Sequence, residues 1–218
     1  MRFLFVLLTI ATTLSGCAVV SARLPLPLPD GGITVGGFGG VSGGQEPDSD
    51  IAVPYALAFG GGTVGWQALT IDRFALELDA ALGAGARDAN SFPETYVGGA
   101  AGARLWFRED GWALGIDASA AGFFEVARRP QSGRAQRLLQ LDVRALWVVR
   151  LDDEIWIGTR PGVVLPLSNN ADYRIPLLDV PLALIWSPNG FRFGVEIGVL
   201  GPVFPSSIHI GASGSVVF

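Results

Sequence analysis

The sequence contains no lysine: all 15 of its Lys+Arg positions are arginine, beside one cysteine, one histidine and one methionine. A lone Cys17 leaves no partner for an intrachain disulfide and no thiolate set for zinc, and a thiolate enzyme is excluded with it. With a single His209, no cluster has plausible metal-ligand spacing, so no metal is expected. Charged residues make up only 16% and the formal net charge is -5, so the basic footprint of a nucleic-acid-binding protein is missing. No stretch after residue 17 is long and apolar enough for a transmembrane helix. Gly36-Gly37-Phe38-Gly39-Gly40 and Gly60-Gly61-Gly62 lack the Gly-Lys-Ser/Thr of a phosphate loop and open no helix. Asp48-Ser49-Asp50 and Asp152-Asp153-Glu154 read as solvated acidic turns.

What the chain does have is 50% hydrophobic residues, 30 glycines and a persistent alternation. It is plainest from Gln136 to Leu151. Leu139, Leu141, Val143, Ala145, Trp147, Val149 and Leu151 form one apolar row. Gln140, Asp142, Arg144 and Arg150 fall in the other row, with Leu138, Leu146 and Val148. A period of two is that of a strand, whose side chains alternate between faces. The run is too long for an ordinary soluble strand and carries charges opposite an unbroken apolar stripe. It suits a barrel standing in a membrane, apolar face to lipid and polar face to the lumen.

The pattern recurs along the chain. Strands are expected from Ile33 to Val41, from about Val53 to Thr70 with a phase shift around Gly60–Gly62, and from Phe74 to Leu82. Others surround the Asp110-Gly111 hairpin, run from Glu154 to Pro166, flank Pro188-Asn189-Gly190, and close the chain from Ser206 to Phe218. Short connections fall near residues 72, 110, 152 and 189, longer ones near 45, 90, 131, 170 and 203, including Arg87 to Glu94. This resembles bacterial outer-membrane barrels, with an even number of antiparallel strands, short periplasmic turns and longer outer loops. The expected fold is all-β, an up-and-down transmembrane barrel of about ten strands, with eight as the alternative. The resemblance places both ends of the barrel in the periplasm. All six tryptophans lie near short turns. Trp66, Trp112, Trp147 and Trp186 suit the aromatic belt of a membrane interface, whereas alternation turns Trp106 and Trp156 inward. The final Phe218 resembles the terminal signal read by the barrel-assembly machinery.

At the N-terminus Arg2 precedes an apolar run from Phe3 to Leu14, then Leu14-Ser15-Gly16-Cys17. This resembles the bacterial lipoprotein signal, in which the cysteine is acylated and becomes the new N-terminus. The resemblance implies diacylglycerol and an N-acyl chain on Cys17, handling by the lipoprotein-sorting machinery, and, with Ala18 next, delivery to the outer membrane. Residues 1–16 are thus expected to be the signal peptide and 31–218 the barrel. Residues 17–30, including Leu24-Pro25-Leu26-Pro27-Leu28-Pro29, are expected to be a stiff extended tether, because proline denies the ladder its donors.

The inward rows collect Glu77, Asp79, Asp117, Glu125, Asp142, Asp179 and Glu196 with Arg104, Arg144, Arg160 and Arg192. Opposite charges on one buried face should pair, since an isolated ion there is strongly disfavoured. Barrels of this size hold side chains or one small ligand rather than a wide channel. The reading is a monomeric, lipid-anchored outer-membrane barrel with a structural or surface-interaction role, no cofactor beyond its lipid, and outer-membrane lipids as its surroundings. Three alternatives differ in kind: a narrow passive channel, a lipid-modifying enzyme using Ser207 and His209, and a periplasmic lipocalin-like barrel with its apolar rows inside.

Overall fold

The computed structural model describes residues 24–45, 54–89, 92–127, 137–167, 176–201 and 207–218. The signal segment, Cys17 and most of the expected long loops lie outside these residues, as does the side chain of Glu125. Eleven strand segments form one antiparallel sheet: β1 Ile33–Gln45, β2 Pro54–Ile71, β3 Phe74–Ala89, β4 Phe92–Glu109, β5 Trp112–Ala127, β6 Arg137–Arg150, β7 Ile155–Thr159, β8 Gly162–Pro166, β9 Leu177–Trp186, β10 Phe191–Gly201 and β11 Ser207–Val217. The sheet closes because β1 pairs with β11 along its length, from Thr34 opposite Val217 to Gly44 opposite Ser207. Phe218 extends this seam, exchanging two backbone hydrogen bonds with Ile33.

The wall is a closed barrel of 10 strands, because β7 and β8 are two halves of one. Both pair with β6 and with β9, in one continuous register. The ladder lapses only at Arg160-Pro161, where the proline has no N–H to give. Glu154 to Pro166 therefore corresponds to one strand that alternation reads correctly and a proline interrupts.

Two other expectations are corrected. The irregularity in β2 lies between Gln67 and Leu69, not at Gly60–Gly62, which pair in regular register with both β1 and β3. A glycine run has no side chains to report a face, so phase cannot be read through it. The long loop expected at Arg87 to Glu94 is mostly strand: Arg87 pairs with Glu94, Asp88 with Pro93 and Ala89 with Phe92. Polar residues there mark a hairpin that continues past the apolar band, which interstrand hydrogen bonding permits without an apolar face. The tight turns are where they were expected, with positive φ at Asp72 (51°), Gly111 (84°), Asn189 (34°) and Gly190 (80°).

The faces are those of a membrane barrel. Leu78, Leu105, Ile116, Val143, Leu182 and Ile197 project outward and exposed, each in a strand interior. Glu77, Arg104, Asp117, Asp142, Arg144 and Asp179, on the same strands, are buried inside. This is the inverse of a lipocalin-like barrel, whose apolar rows would line the cavity. At the short-turn rim Trp66, Trp112, Trp147 and Trp186 point outward among Phe74, Phe107, Phe191 and Phe193. Phe107 links this girdle, with ring centroids 5.3 Å from Phe74 and 5.8 Å from Trp112.

Candidate functional site

The lumen is filled at two levels. Nearest the short-turn rim it holds a piece of the chain itself. Residues Leu24 to Leu28 lie inside the barrel mouth: Leu24 and Leu26 pack against Ala75, Trp106, Ala113, Leu146, Val148, Ala183 and Ile185, with Trp156 partly buried against that cluster, and Leu28 is buried as well. The described part of the stretch expected to be a stiff extended tether is instead an internal plug, and it turns at Pro25, where the Leu26 N–H donates to the Leu24 carbonyl at 2.9 Å. Burying three leucines contributes about 1.5–3 kcal/mol each before ordering costs are subtracted. Three prolines lower that ordering cost by restricting the unfolded chain.

The plug adds no strand to the wall, so side chains must satisfy the rest of its backbone. Arg104 Nη1 donates to the Leu24 carbonyl at 2.9 Å. Arg192 spans two carbonyls, Nη1 to Leu26 at 3.0 Å and Nη2 to Pro27 at 2.7 Å. Arg108 Nη1 donates to the Leu28 carbonyl at 3.0 Å, and the Leu28 N–H donates to Glu77 Oε1 at 2.5 Å. Where the plug leaves the mouth, Asp30 accepts from Arg108 Nη2 at 2.7 Å, with Gln67 and Thr70 nearby. The Arg108 hydrogen bond and charge hold the Asp30 carboxyl below its ordinary value of 3.8. A lowered carboxylate stabilises above the unfolded value and ceases to as pH falls through the folded one, so this clasp loosens only in acid.

Beyond the plug a belt of charge runs round the wall. Arg104 Nε lies 3.3 Å from Asp79 Oδ2 and 3.1 Å from Asp117 Oδ2, joining β3, β4 and β5. Arg144 on β6 pairs with its strand-mate Asp142 at 3.1 Å and with Asp179 on β9. That second pair crosses the β8 strand, and Gly162 makes the crossing possible: a Cβ there would strike the Arg144 side chain. Arg160, at the ladder break, reaches past β9 to Glu196 on β10, donating from Nε at 2.7 Å and Nη2 at 2.6 Å. His209 Nε2 completes the belt, 3.6 Å from Glu196 Oε1 and 3.7 Å from Asp179 Oδ1.

The inward residues read from alternation are thus brought together, except Glu125, whose side chain is not described. Two roles differ from expectation. Glu77 and Arg192 serve the plug as well as the wall, and Arg108, not singled out from the sequence, is one of the plug's main holders. Ser207 and His209 share the inner face of β11, but Ser207 Oγ donates to the Leu200 carbonyl at 3.2 Å. Its single proton is thereby not directed at His209, as nucleophile activation requires. Among the described residues no group of three or more His, Cys, Asp or Glu could hold a metal.

No protein-family model and no curated protein matches the sequence. Solved structures do match in shape. The translocator domain of the autotransporter NalP from Neisseria meningitidis superposes with a TM-score of 0.56 at 12% identity, covering 86% of this chain and 88% of that one. An outer-membrane channel from Pseudomonas putida F1 gives 0.53 at 11%, covering 93% and 100%. The transport unit of the autotransporter AIDA-I from Escherichia coli gives 0.51 at 10%, covering 97% and 95%. The chain shares its fold with outer-membrane barrels. At such identities the likeness carries architecture and no activity.

Proposed function

We propose that this chain is a monomeric, lipid-anchored outer-membrane β-barrel that stands closed, with a structural or surface-interaction role. The observation that carries the reading is the plug: a barrel whose mouth is filled by Leu24 to Pro29, above which Arg104, Arg144 and Arg160 are each tied to carboxylates on the wall, is built as a solid body. The exposed apolar face and the aromatic girdle suit a bilayer, and the short-turn rim then faces the periplasm. In this reading Cys17 carries the lipid. The chain between it and Leu24 can span at most about 25 Å, which lets the acyl chains enter the adjacent leaflet while the plug stays seated. Outer-membrane lipids and the sorting and assembly machineries are its partners, Phe218 being the residue offered to assembly.

Purified protein in planar bilayers is expected to give no steady conductance, and open-channel currents of uniform size would overturn the closed reading. Growth with labelled palmitate should label the wild type and leave Cys17→Ser unlabelled; label retained on the variant would refute anchoring through Cys17. The plug at the mouth counts against the passive-channel reading, and the hydrogen bond of Ser207 to the Leu200 carbonyl counts against the lipid-modifying one.

A further inference from the structure

The contacts at the mouth have a form that a permanent core does not need. Every backbone bond holding Leu24, Leu26, Pro27 and Leu28 to the wall comes from a charged side chain, and four of the five read carbonyl oxygens, which any peptide offers. The sheet's ladder closes through β1 and β11 without the plug. Side-chain recognition comes from the alternation alone: buried leucines, and prolines that restrict the backbone presenting the carbonyls. The combination is that of a receptor for a short, proline-stiffened peptide.

We propose that the inner face of the short-turn mouth is a peptide-binding site for an alternating Leu-Pro chain, occupied here by residues 24–29 of the same molecule as an exchangeable ligand. Arg192 is the main reader of its carbonyls, Glu77 reads the Leu28 N–H, and the floor of Trp106, Leu146, Val148 and Ile185 takes Leu24 and Leu26. The site lies open once the segment leaves, because the ladder of the wall closes through β1 and β11 without it. Gly194 marks the seat of Leu24, since a Cβ at that position would overlap the Leu24 side chain.

The test replaces residues 24–29 in the full chain by glycine and serine and titrates the folded barrel in detergent with a fluorescent peptide, Leu-Pro-Leu-Pro-Leu-Pro-Asp. Heat-modifiable gel migration confirms folding. Saturable binding at micromolar concentration is expected, weakened at least tenfold by Arg192→Ala and by methylating the peptide nitrogen equivalent to Leu28. The unaltered protein should bind far less, its site being filled. In the otherwise natural chain, Gly194→Phe should expel the plug without opening the site to added peptide. No binding by a folded, plug-replaced barrel at millimolar peptide would overturn the proposal. So would equal binding by the unaltered protein, or failure of the replaced chain to fold, which would make the plug part of the core.

Discussion

Arg144→Leu is expected to lower the unfolding free energy by about 3–5 kcal/mol, the largest loss from any single residue of the belt. Arg144 is almost wholly buried and answers two carboxylates, Asp142 on its own strand and Asp179 across the β8 strand. Removing the cation leaves two buried acids facing each other, with His209 Nε2 3.7 Å from Asp179 Oδ1. The charge pair itself need add little net stability, because both partners were taken out of water to make it; the loss comes from stranding the survivors. Arg144→Lys retains the charge but not the fork that serves two carboxylates, and should fall between the two. Urea unfolding of protein refolded into lipid or micelles measures this as a shift of midpoint. A change under about 0.5 kcal/mol for Arg144→Leu would mean that the belt is hydrated rather than packed.

The second large effect concerns the outer face. Leu182 is half exposed in the interior of β9, while Trp186 on the same outward row marks the interface four residues on. Four residues of tilted strand place Leu182 roughly 10 Å from that interface, near the middle of a 25 Å apolar band. Leu182→Arg should therefore cost about 2–4 kcal/mol, and Phe191→Arg at the rim about 0–1 kcal/mol. The gradient with depth is the informative part. Were this face in water, both substitutions would sit within about 0.5 kcal/mol of the wild type. Equilibrium folding into phospholipid vesicles separates the two outcomes.

Much of this was legible in the sequence because a membrane barrel writes its two environments on alternate residues. Asp142 and Arg144 opposite Val143 and Ala145 identified the inner face of β6, and Trp106 and Trp156 went inward where alternation put them. Three things escaped for physical reasons. Glycines at 60–62 erase the period, so the irregularity near Gln67 was misplaced. Arg87, Asp88 and Glu94 read as loop because polarity marks water, and a strand that continues beyond the bilayer also meets water. The plug was missed because proline alternation speaks for extension and not for location. One signal was available: Leu24, Leu26 and Leu28 are too apolar for a tether in water, and burial is what such a pattern asks for. The pairing of particular arginines with plug carbonyls could not be read, since it depends on which strands the closed barrel brings to the mouth.

The apolar face is expected to lie in a membrane independently of any lipid on Cys17. The direct measurement is fractionation of cells producing Cys17→Ser fused to an ordinary secretory signal, followed by alkaline carbonate extraction and by gel migration with and without heating. The variant is expected to stay in the outer-membrane fraction, resist extraction, and migrate faster unheated than boiled. Recovery of the variant as a soluble periplasmic protein would contradict it.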